Sequence, residues 1–362
     1  MKIYLDNIIF SLQKSGGISV YWYELLKRIL QDKDFEPIFI DYNNKNLFRK
    51  LLSIDNSKII SNLKLPIKLI RYFNPCWLNS LTIFHSSYYR YFSSRKTTNI
   101  CTVHDFTYEY FRRGLPKLIH KIQKGNAIKN ADFIICISNN TKKDLFKFYP
   151  KINKKNVHVV YNGVSSAYKP IKNSLLELRK LIPFSSKKYI LYVGDRLSPY
   201  KNFKLVVESS KLSNIPVVLV GGGLLNLNEK SYLNKLIGSR NYCHLNNIEN
   251  IKLNILYNNA LCLLYPSAYE GFGIPLIEAQ NAGCPIIANN SSSIPEVVGK
   301  GAVLIDDICK ENISSKLNLL INNSIFVSKI IKFGFENSKN FSWDKCYLET
   351  KNIYLKSKKY KL

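Results

Sequence analysis

The stretch PSAYEGFGIPLIEAQNAG, residues 266–283, decides how the second half of this 362-residue chain is interpreted. Gly271 and Gly273 stand two residues apart, so the backbone can turn tightly there and come close to a ligand. Pro275 suits the first turn of a helix, and Gly283 suits its end. The spacing therefore predicts a short helix whose free amide groups and positive dipole end face the loop. Such a helix start binds an anion such as a diphosphate.

Two glutamates frame this predicted helix. Glu270 precedes it and Glu278 lies inside it, with seven residues between them. The two carboxylates can therefore contact different parts of one extended ligand. Taken alone, the glycine loop would ordinarily have a structural role, and a glutamate beside it would ordinarily be solvated. These explanations do not account for the whole string.

A second polar loop follows an apolar run in YVGDRLSPYKN, residues 192–202. Arg196 and Lys201 come after the predicted strand end, so a loop there can place both cations on a pyrophosphate. Arginine offers a planar fork of donors, and lysine offers a point charge. In so lysine-rich a chain both residues can also be solvated.

Short apolar runs alternate with longer amphipathic stretches through the chain. Runs such as NICTVHD and DFIICIS in the first half, and IPVVLVGGG in the second, indicate parallel α/β sheets. The pattern breaks near residues 165–187, which indicates a connection between domains, and then restarts. We therefore predict two facing Rossmann-like α/β/α domains, residues 1–168 and 186–340, with an interdomain cleft for a small molecule. A final helix at residues 341–362 is predicted to pack back toward the first domain.

Candidate residues in the first half also lie where predicted strands end. Gly16 and Gly17 follow the first strand, where only glycine lets backbone amides crowd a phosphate or a sugar. His104 ends the run NICTVHD, so it can donate a hydrogen bond to a sugar hydroxyl or take part in proton transfer. His85 is a weaker candidate of the same kind, and the other histidines are interpreted as structural.

The composition excludes several classes of protein. Hydrophobic residues are 46% and charged residues 22%, which is typical of a globular chain and not of a disordered or fibrous one. No apolar run approaches the roughly 20 residues of a membrane-spanning helix. None of the eight cysteines lies within four residues of another, so no zinc or redox motif is present, and neither a metal nor a cofactor is predicted.

The chain is strongly basic. The net charge is +28, and the first 170 residues hold 28 basic against 11 acidic residues. Such a charge attracts nucleic acid, phosphorylated substrates or an anionic membrane face. Lysines outnumber arginines 43 to 10, whereas base-reading proteins rely on arginine, so we expect a phosphate substrate or a membrane surface as the partner and no nucleic acid. The aromatic and basic stretches 68–80 and 86–96 are the predicted membrane contacts, with ordinary core and loop sequence as the alternative.

The string Glu270-GFGIPLI-Glu278, with AQNAGCPIIANNSSSIPEVVG after it, resembles the signature of the retaining glycosyltransferases of family four. That family has the GT-B fold and is also called the glycosyltransferase group 1 domain. The resemblance covers most of the chain. In chain order it includes Gly16-Gly17, Val103-His104-Asp105, Ala131-Asp132 through Ile137-Ser138, Tyr161-Asn162-Gly163-Val164, Gly194 to Lys201, and the segment between the two glutamates.

The resemblance implies a retaining hexosyltransferase. Its donor would be a nucleotide-diphosphate sugar, a GDP- or UDP-sugar with GDP-mannose among them, and its acceptor a saccharide, free or polyprenyl-linked. The implied setting is bacterial surface polysaccharide assembly (O-antigen or capsule), in the cytoplasm or peripherally on the inner face of the cytoplasmic membrane. The implied catalytic residues are His104, Arg196, Lys201 and Glu270. The implied donor-binding residues are Gly16, Gly17, Arg196, Lys201, Glu270, Gly271, Phe272, Gly273, Ile274 and Glu278.

The resemblance also implies catalysis without a metal ion, because Arg196 and Lys201 can neutralise the leaving diphosphate. Two other functions stay open. A nucleotide-sugar epimerase or a donor hydrolase would share the fold, but it would need a carboxylate and a base poised for proton abstraction or water activation. A nucleic-acid-binding protein would use the +28 charge, although no nucleic-acid motif is present.

Overall fold

The computed structural model of the chain describes residues 1–61, 70–75 and 83–358. The chain divides into two compact units. The first contains Met1–Gly163 together with Trp343–Leu362, and the second contains Val164–Ser342. Each unit is built on one parallel sheet with helices between most successive strands, so the predicted α/β class is confirmed.

The described part of the first unit has seven strands: β1 (Lys2–Asp6), β2 (Glu36–Asp41), β3 (Ile59–Ser61), β4 (Ile83–Ser86), β5 (Thr98–Val103), β6 (Phe133–Cys136) and β7 (Val157–Val159). They pair in parallel in the order β3-β2-β1-β4-β5-β6-β7. Every residue of β4, β5 and β6 is buried, as in a sheet covered on both faces. The helices are α1 (Ile9–Leu12), α2 (Gly17–Ile29), α3 (Thr107–Phe111), α4 (Gly114–Lys129) and α5 (Asn139–Phe148).

The second unit has six strands: β8 (Ile190–Val193), β9 (Val217–Val220), β10 (Tyr242–Leu245), β11 (Cys262–Tyr265), β12 (Ile286–Asn289) and β13 (Val303–Ile305). They pair in parallel in the order β10-β9-β8-β11-β12-β13. The helices are α6 (Leu175–Leu181), α7 (Phe203–Ser213), α8 (Leu227–Ile237), α9 (Asn250–Asn259), α10 (Ile274–Ala282), α11 (Ile294–Val298), α12 (Lys310–Asn322) and α13 (Ser324–Ser338). Because parallel strands end at one edge, the loops after β8, β9, β11 and β12 lie at the same edge of this sheet.

The last helix, α14 (Trp343–Lys358), belongs to the first unit. Tyr354 is buried, and its hydroxyl lies 2.7 Å from Nδ1 of His85 in β4. Tyr347 donates to the carboxylate of Asp32 at 2.6 Å, and the ammonium of Lys351 lies 2.7 Å from the same carboxylate. Aromatic burial and ion pairing therefore both fix this helix to the unit that holds the beginning of the chain.

The segment predicted as a connection, residues 165–187, is part of the second unit and contains α6. Its backbone is held by side chains of α9: the amide of Lys169 donates to Asn254 at 3.2 Å, and the amide of Ile171 donates to Asn258 at 2.7 Å. These partners lie more than eighty residues further along the chain, so the local composition of the segment does not show them.

The centre of one predicted membrane contact, the stretch 86–96, is buried. Within residues 86–96, Tyr89, Arg90 and Phe92 are buried. Arg90 forms a two-pronged ion pair with Asp6 at the end of β1, where its Nε lies 2.8 Å from Oδ2. A guanidinium with a buried carboxylate partner can be placed inside a protein, so Arg90 belongs to the core, whereas Arg95 and Lys96 at the end of the stretch are exposed. Of the other stretch, residues 68 and 69 and residues 76–80 lie outside the described residues.

Across the described ranges, none of the helices is both long enough and apolar enough to cross a lipid bilayer.

Candidate functional site

The glycine loop and the helix after it have the predicted form. Loop 266–273 follows β11, and α10 begins at Ile274 and ends at Ala282. Gly273, the residue before the helix, has a φ of +96°, and a Cβ atom there would lie 2.8 Å from Cδ1 of Leu276. Both features favour glycine at this position. The helix start therefore depends on a residue without a side chain, and its first-turn amides lie at the carboxyl edge of the sheet.

Lys201 and Glu270 form the centre of the candidate site. The Lys201 ammonium lies 2.5 Å from Oε1 of Glu270, and both side chains are largely buried, with 15% and 11% of their surface exposed. The two residues are on the loops after β8 and β11, which pair in parallel. The loops are also joined directly, because the amide of Ala268 donates to the carbonyl of Tyr200 at 2.8 Å.

A pair of serines before α11 fixes the backbone of the glycine loop. The amide of Glu270 donates to the hydroxyl of Ser292 at 2.8 Å. The hydroxyl of Ser293 lies within hydrogen-bond distance of two carbonyls, 2.9 Å from that of Glu270 and 3.1 Å from that of Phe272. These serines were not among the predicted site residues. The string SSSIPE, in which hydroxyls precede a proline-started helix, is the signal that could have identified them.

Glu278 lies within α10, next to two tyrosines. The hydroxyl of Tyr257 donates to Oε2 of Glu278 at 3.0 Å. Burial raises the pKa of the Glu278 carboxyl to about 7, and hydrogen bonds from Tyr257 and Tyr168 offset part of that rise. A carboxyl with this pKa exchanges its proton near neutral pH, so it can accept hydrogen bonds from hydroxyl groups and can also donate one. Neither tyrosine was among the predicted site residues.

Arg196 is buried, and each of its five N–H groups has a partner. The Nε atom lies 2.9 Å from a carboxylate oxygen of Glu229, and Nη1 lies 3.2 Å from Nε2 of His244. The remaining donors go to the three successive carbonyls of Gly221–Gly223, in the loop after β9. The guanidinium therefore fixes the neighbouring glycine loop in this state of the protein. His244, interpreted from the sequence as structural, is in contact with a predicted site residue.

The first-unit candidates lie at the carboxyl edge of the first sheet. Gly16 and Gly17 come at the start of α2, after β1, and His104 directly follows β5. His104 is buried, and its ring meets the Tyr21 ring edge-on at 5.1 Å. Burial lowers the pKa of His104 to about 4, so its imidazole is neutral at pH 7. In this state it can donate or accept one hydrogen bond and carries no charge.

His85, the weaker candidate, lies in the core of the first unit. Its two ring nitrogens are hydrogen-bonded to Tyr354 at 2.7 Å and to Thr102 at 2.9 Å. Burial lowers the pKa of His85 to about 3. Both nitrogens are therefore used by the protein, and the residue has a structural role.

No group of three or more histidine, cysteine or carboxylate side chains among the described residues is placed to hold a metal ion. Seven cysteines in this part of the chain are free thiols, and Cys76 lies outside it. The charged groups that the described second unit brings together at the glycine loop are Lys201 and Glu270.

Two family profiles match the chain. The profile described as "Glycosyltransferase Family 4" matches residues 15–168, and the one described as "Glycosyl transferases group 1" matches residues 175–337. The chain belongs to glycosyltransferase family 4. The family's two halves correspond to the two described sheets, and the glycine loop, Lys201 and Glu270 lie within the group 1 half.

Among curated proteins, this glycosyltransferase is similar to O-antigen chain mannosyltransferase B of Escherichia coli. The identity is 25% over 279 residues, which are 73% of this chain and 72% of the relative. It is also similar to the Escherichia coli UDP-Gal:alpha-D-GlcNAc-diphosphoundecaprenol alpha-1,3-galactosyltransferase. There the identity is 28%, and the match covers 52% of this chain and 50% of the relative.

Among solved structures, the glycosyltransferase resembles Anabaena Alr3699/HepE in complex with UDP-glucose. The TM-score is 0.75 and the identity 15%, over 98% of this chain and all of the other. At that identity the likeness shows the fold, so the predicted GT-B fold is confirmed.

Proposed function

We propose that this glycosyltransferase is a retaining hexosyltransferase that moves a sugar from a nucleotide-diphosphate donor to a lipid-linked saccharide in surface polysaccharide assembly. The observation that carries the proposal is the Lys201–Glu270 pair, 2.5 Å apart beside the amide-rich start of α10. A cation and a helix start favour a diphosphate, and an adjacent carboxylate favours sugar hydroxyls. A reaction that breaks the bond between a sugar and a diphosphate needs both.

The diphosphate would lie at the start of α10. The first-turn amides there, those of Gly273 and Ile274 among them, would donate to its oxygens, in the loop that Gly271 and Phe272 shape. Lys201 would balance the negative charge that grows as the bond between the anomeric carbon and the phosphate oxygen breaks. Its present partner is Glu270, so donor binding would exchange one anionic contact for another. Glu270 would then accept hydrogen bonds from the donor sugar.

The ribose would lie further along α10. Glu278 would accept hydrogen bonds from the two ribose hydroxyls, with Tyr257 and Tyr168 holding the carboxyl in place. Arg196 would add a second cation for the diphosphate by giving up carbonyl contacts in Gly221–Gly223. This exchange would also loosen the glycine loop after β9 while the nucleotide binds.

The first unit would bind the acceptor. The turn after β1 that holds Gly16 and Gly17 would bring backbone amides to the phosphate or the sugar of the donor. His104 would form a hydrogen bond to a donor-sugar hydroxyl. Since its imidazole is neutral at pH 7, it would act through that hydrogen bond and not through a positive charge. Glu270 is assigned to hydrogen bonds with the donor sugar, and we assign the protein no covalent nucleophile. The acceptor hydroxyl would attack on the face from which the diphosphate departs and pass its proton to the departing phosphate oxygen, so the anomeric configuration is retained.

The donor is proposed to be GDP-mannose, because one relative is named as an O-antigen mannosyltransferase. UDP-sugars are the competing donors, since a second relative is named for UDP-galactose and a structural neighbour holds UDP-glucose. The diphosphoundecaprenol in the name of the second relative supports a polyprenyl-linked acceptor.

A thermal-shift panel of GDP- and UDP-sugars on the whole chain tests the ranking of the donors, because a ligand that binds the folded state raises its melting temperature.

The decisive experiment measures release of nucleoside diphosphate with and without a polyprenyl-linked saccharide. We expect rapid release only with the acceptor present, unchanged by EDTA, and an anomeric proton in the product that matches that of the donor. Release at the same rate without acceptor would instead indicate a hydrolase, and a new sugar nucleotide would indicate an epimerase. We also propose that the protein acts in the cytoplasm, on the inner face of the membrane. Protein added to the outside of inside-out membrane vesicles should therefore be active toward acceptor held in those vesicles.

The variant Lys201→Met tests the role proposed for the Lys201 charge. We expect kcat/KM to fall by about 10²–10³-fold, because the leaving diphosphate loses a positive charge held close to it. Lys204→Met is the control. Lys204 is exposed on the first turn of α7, so this substitution removes the same charge from a nearby position. Wild-type activity in Lys201→Met, or an equal loss in the control, would contradict the assigned role.

A further inference from the structure

Helix α4 presents apolar side chains to solvent. Leu115, Leu118, Ile119 and Ile122 are 67%, 53%, 37% and 55% exposed. The last three follow Leu115 by three, four and seven residues, which places all four on one side of the helix. We call this stripe the outer face of α4. Large aliphatic side chains gathered on a surface are unfavourable in water unless a partner covers them.

The opposite side of α4 is fixed in the first unit. The ring of His120 stacks on that of Tyr108 at 3.9 Å. The buried Lys124 lies 3.1 Å from the carboxylate of Glu109 and 3.6 Å from the centre of the Phe106 ring. The helix therefore already has an inner face of its own, and the outer face is held toward solvent by rigid contacts.

The charges around the outer face have one sign. Residues 110–130 contain six basic residues and no acidic one. Lys124 is used internally, and Arg112, Arg113, Lys121 and Lys129 are exposed around the stripe. Basic residues that flank an exposed apolar stripe are complementary to a surface that is anionic outside and apolar within, which is the interface of a bilayer with anionic lipids.

The apolar surface continues beyond the helix. A cavity of about 410 Å³ lies beside Ile119 and Ile122, and aromatic residues that include Tyr72 and Tyr91 line its other side. Phe73, next to Tyr72, is 61% exposed. The amides Asn74, Gln123 and Asn126 also line the cavity, so an inserted acyl chain would contact the isoleucines and the tyrosine rings, with polar groups beside them.

We propose that the outer face of α4 lies in the headgroup region of an anionic membrane, with Arg112, Arg113 and Lys121 on the lipid phosphates. This contact would bring the first unit to an acceptor that is held by lipid, and in that respect the inference rests on the proposed function. The membrane contact is therefore centred on α4, and the stretch 86–96 contributes to it through Tyr91 at the adjoining cavity.

The test is flotation of the whole protein with vesicles of phosphatidylcholine alone or with 30% phosphatidylglycerol, a mixture on the order of natural anionic surfaces. The wild-type chain should bind the anionic vesicles, lose binding as salt rises, and bind neutral vesicles about tenfold less. Leu115→Ser with Leu118→Ser should lower anionic binding by about tenfold or more. Arg112→Gln with Arg113→Gln should flatten the salt dependence.

The control variant is Leu176→Ser with Ile325→Ser, which removes two aliphatic residues of the second unit that are even more exposed than Leu115 and Leu118. It should bind vesicles as the wild type does. Unchanged binding by the Leu115/Leu118 variant would overturn the proposal, as would a loss of self-association in that variant without any change in vesicle binding. The thermal shift with sugar nucleotides reports on the proposed function separately. If the protein binds vesicles through α4 but no sugar nucleotide raises its melting temperature, this inference stands and the proposed function fails.

Discussion

Glu278 is a carboxyl group whose surroundings oppose its charge. Burial raises its pKa to about 7, and the hydroxyls of Tyr257 and Tyr168 offset only part of that effect. Between the ordinary pKa near 4.5 and pH 7, the folded protein holds a proton that the unfolded chain has released. The free energy of unfolding therefore falls as pH rises through this window, and it levels off above about pH 7.

Glu278→Gln should remove this pH dependence. The neutral amide keeps the size of the side chain but has no charge to bury, so above pH 7 the variant should melt about 2–4 °C higher than the wild type. At pH 5 the two proteins should melt within about a degree of each other, because the wild-type carboxyl is then protonated as well. Calorimetry from pH 5 to 8.5 measures both temperatures, and parallel curves would contradict the raised pKa.

Among single residues, the sequence predicted the ion-paired Lys201 and Glu270 as site candidates but not what surrounds them. Glu270 precedes Gly271, and Lys201 follows Pro199 by two residues, in strings that already indicate loops, so local spacing was enough to single them out. The contacts of Arg196 with the carbonyls of Gly221–Gly223 come from a different strand. They follow from the parallel pairing of β8 and β9, and the string 192–202 that contains Arg196 does not show this pairing.

At the scale of the element, α10 shows how a short helix is fixed by the residues at its ends. Pro275 lies in its first turn, and Gly283 ends it with a φ of +75°. Gly273 before it has the left-handed backbone and the close neighbour Leu276. These local signals gave the position of the helix from sequence. The segment 165–187 carried no such signal, because its backbone partners are the Asn254 and Asn258 side chains.

Gly273→Ala should therefore disturb both stability and donor binding. The new Cβ would have a strained φ and would lie 2.8 Å from Leu276 Cδ1, which costs about 1–3 kcal/mol. We expect the melting temperature to fall by about 2–6 °C and the donor-induced thermal shift to shrink.

The control for this variant is Gly238→Ala, at the end of α8. Its φ of +80° brings similar strain, but the nearest atom to its Cβ would be 3.9 Å away. The control should lower the melting temperature less and leave the donor-induced shift intact. Equal effects of the two substitutions would show that the contact with Leu276 contributes nothing.

At the scale of the whole molecule, the chain builds the first sheet, then the second, and returns to the first with α14. The fold class and the alternation of strands and helices could be predicted, because buried runs at regular intervals are a local property of the sequence. The burial of Arg90 could not, since its carboxylate partner, Asp6, lies 84 residues earlier. The same holds for the contact of Tyr354 with His85, which spans 269 residues.

Tyr354→Phe should weaken the first unit selectively. The substitution removes a hydroxyl that is 2.7 Å from His85 Nδ1 and leaves a buried ring nitrogen without its partner, which costs about 1–3 kcal/mol. All three tryptophans of the chain lie in the residues of the first unit, so tryptophan fluorescence in urea follows that unit. Its midpoint should fall, while the donor-induced thermal shift of the second unit stays.

Tyr72→Phe is the control for this variant, since Tyr72 is half exposed and its hydroxyl is not needed in the core. Its urea midpoint should equal that of the wild type. A Tyr354→Phe midpoint that does not move would indicate that α14 contributes little to the first unit.

The return of α14 to the first unit has a consequence for how the protein is made. On the ribosome, residues 164–342 emerge and can fold before the helix that seals the earlier sheet has been synthesised. The portion translated first is therefore the portion finished last, and its unsealed surface needs protection through most of translation.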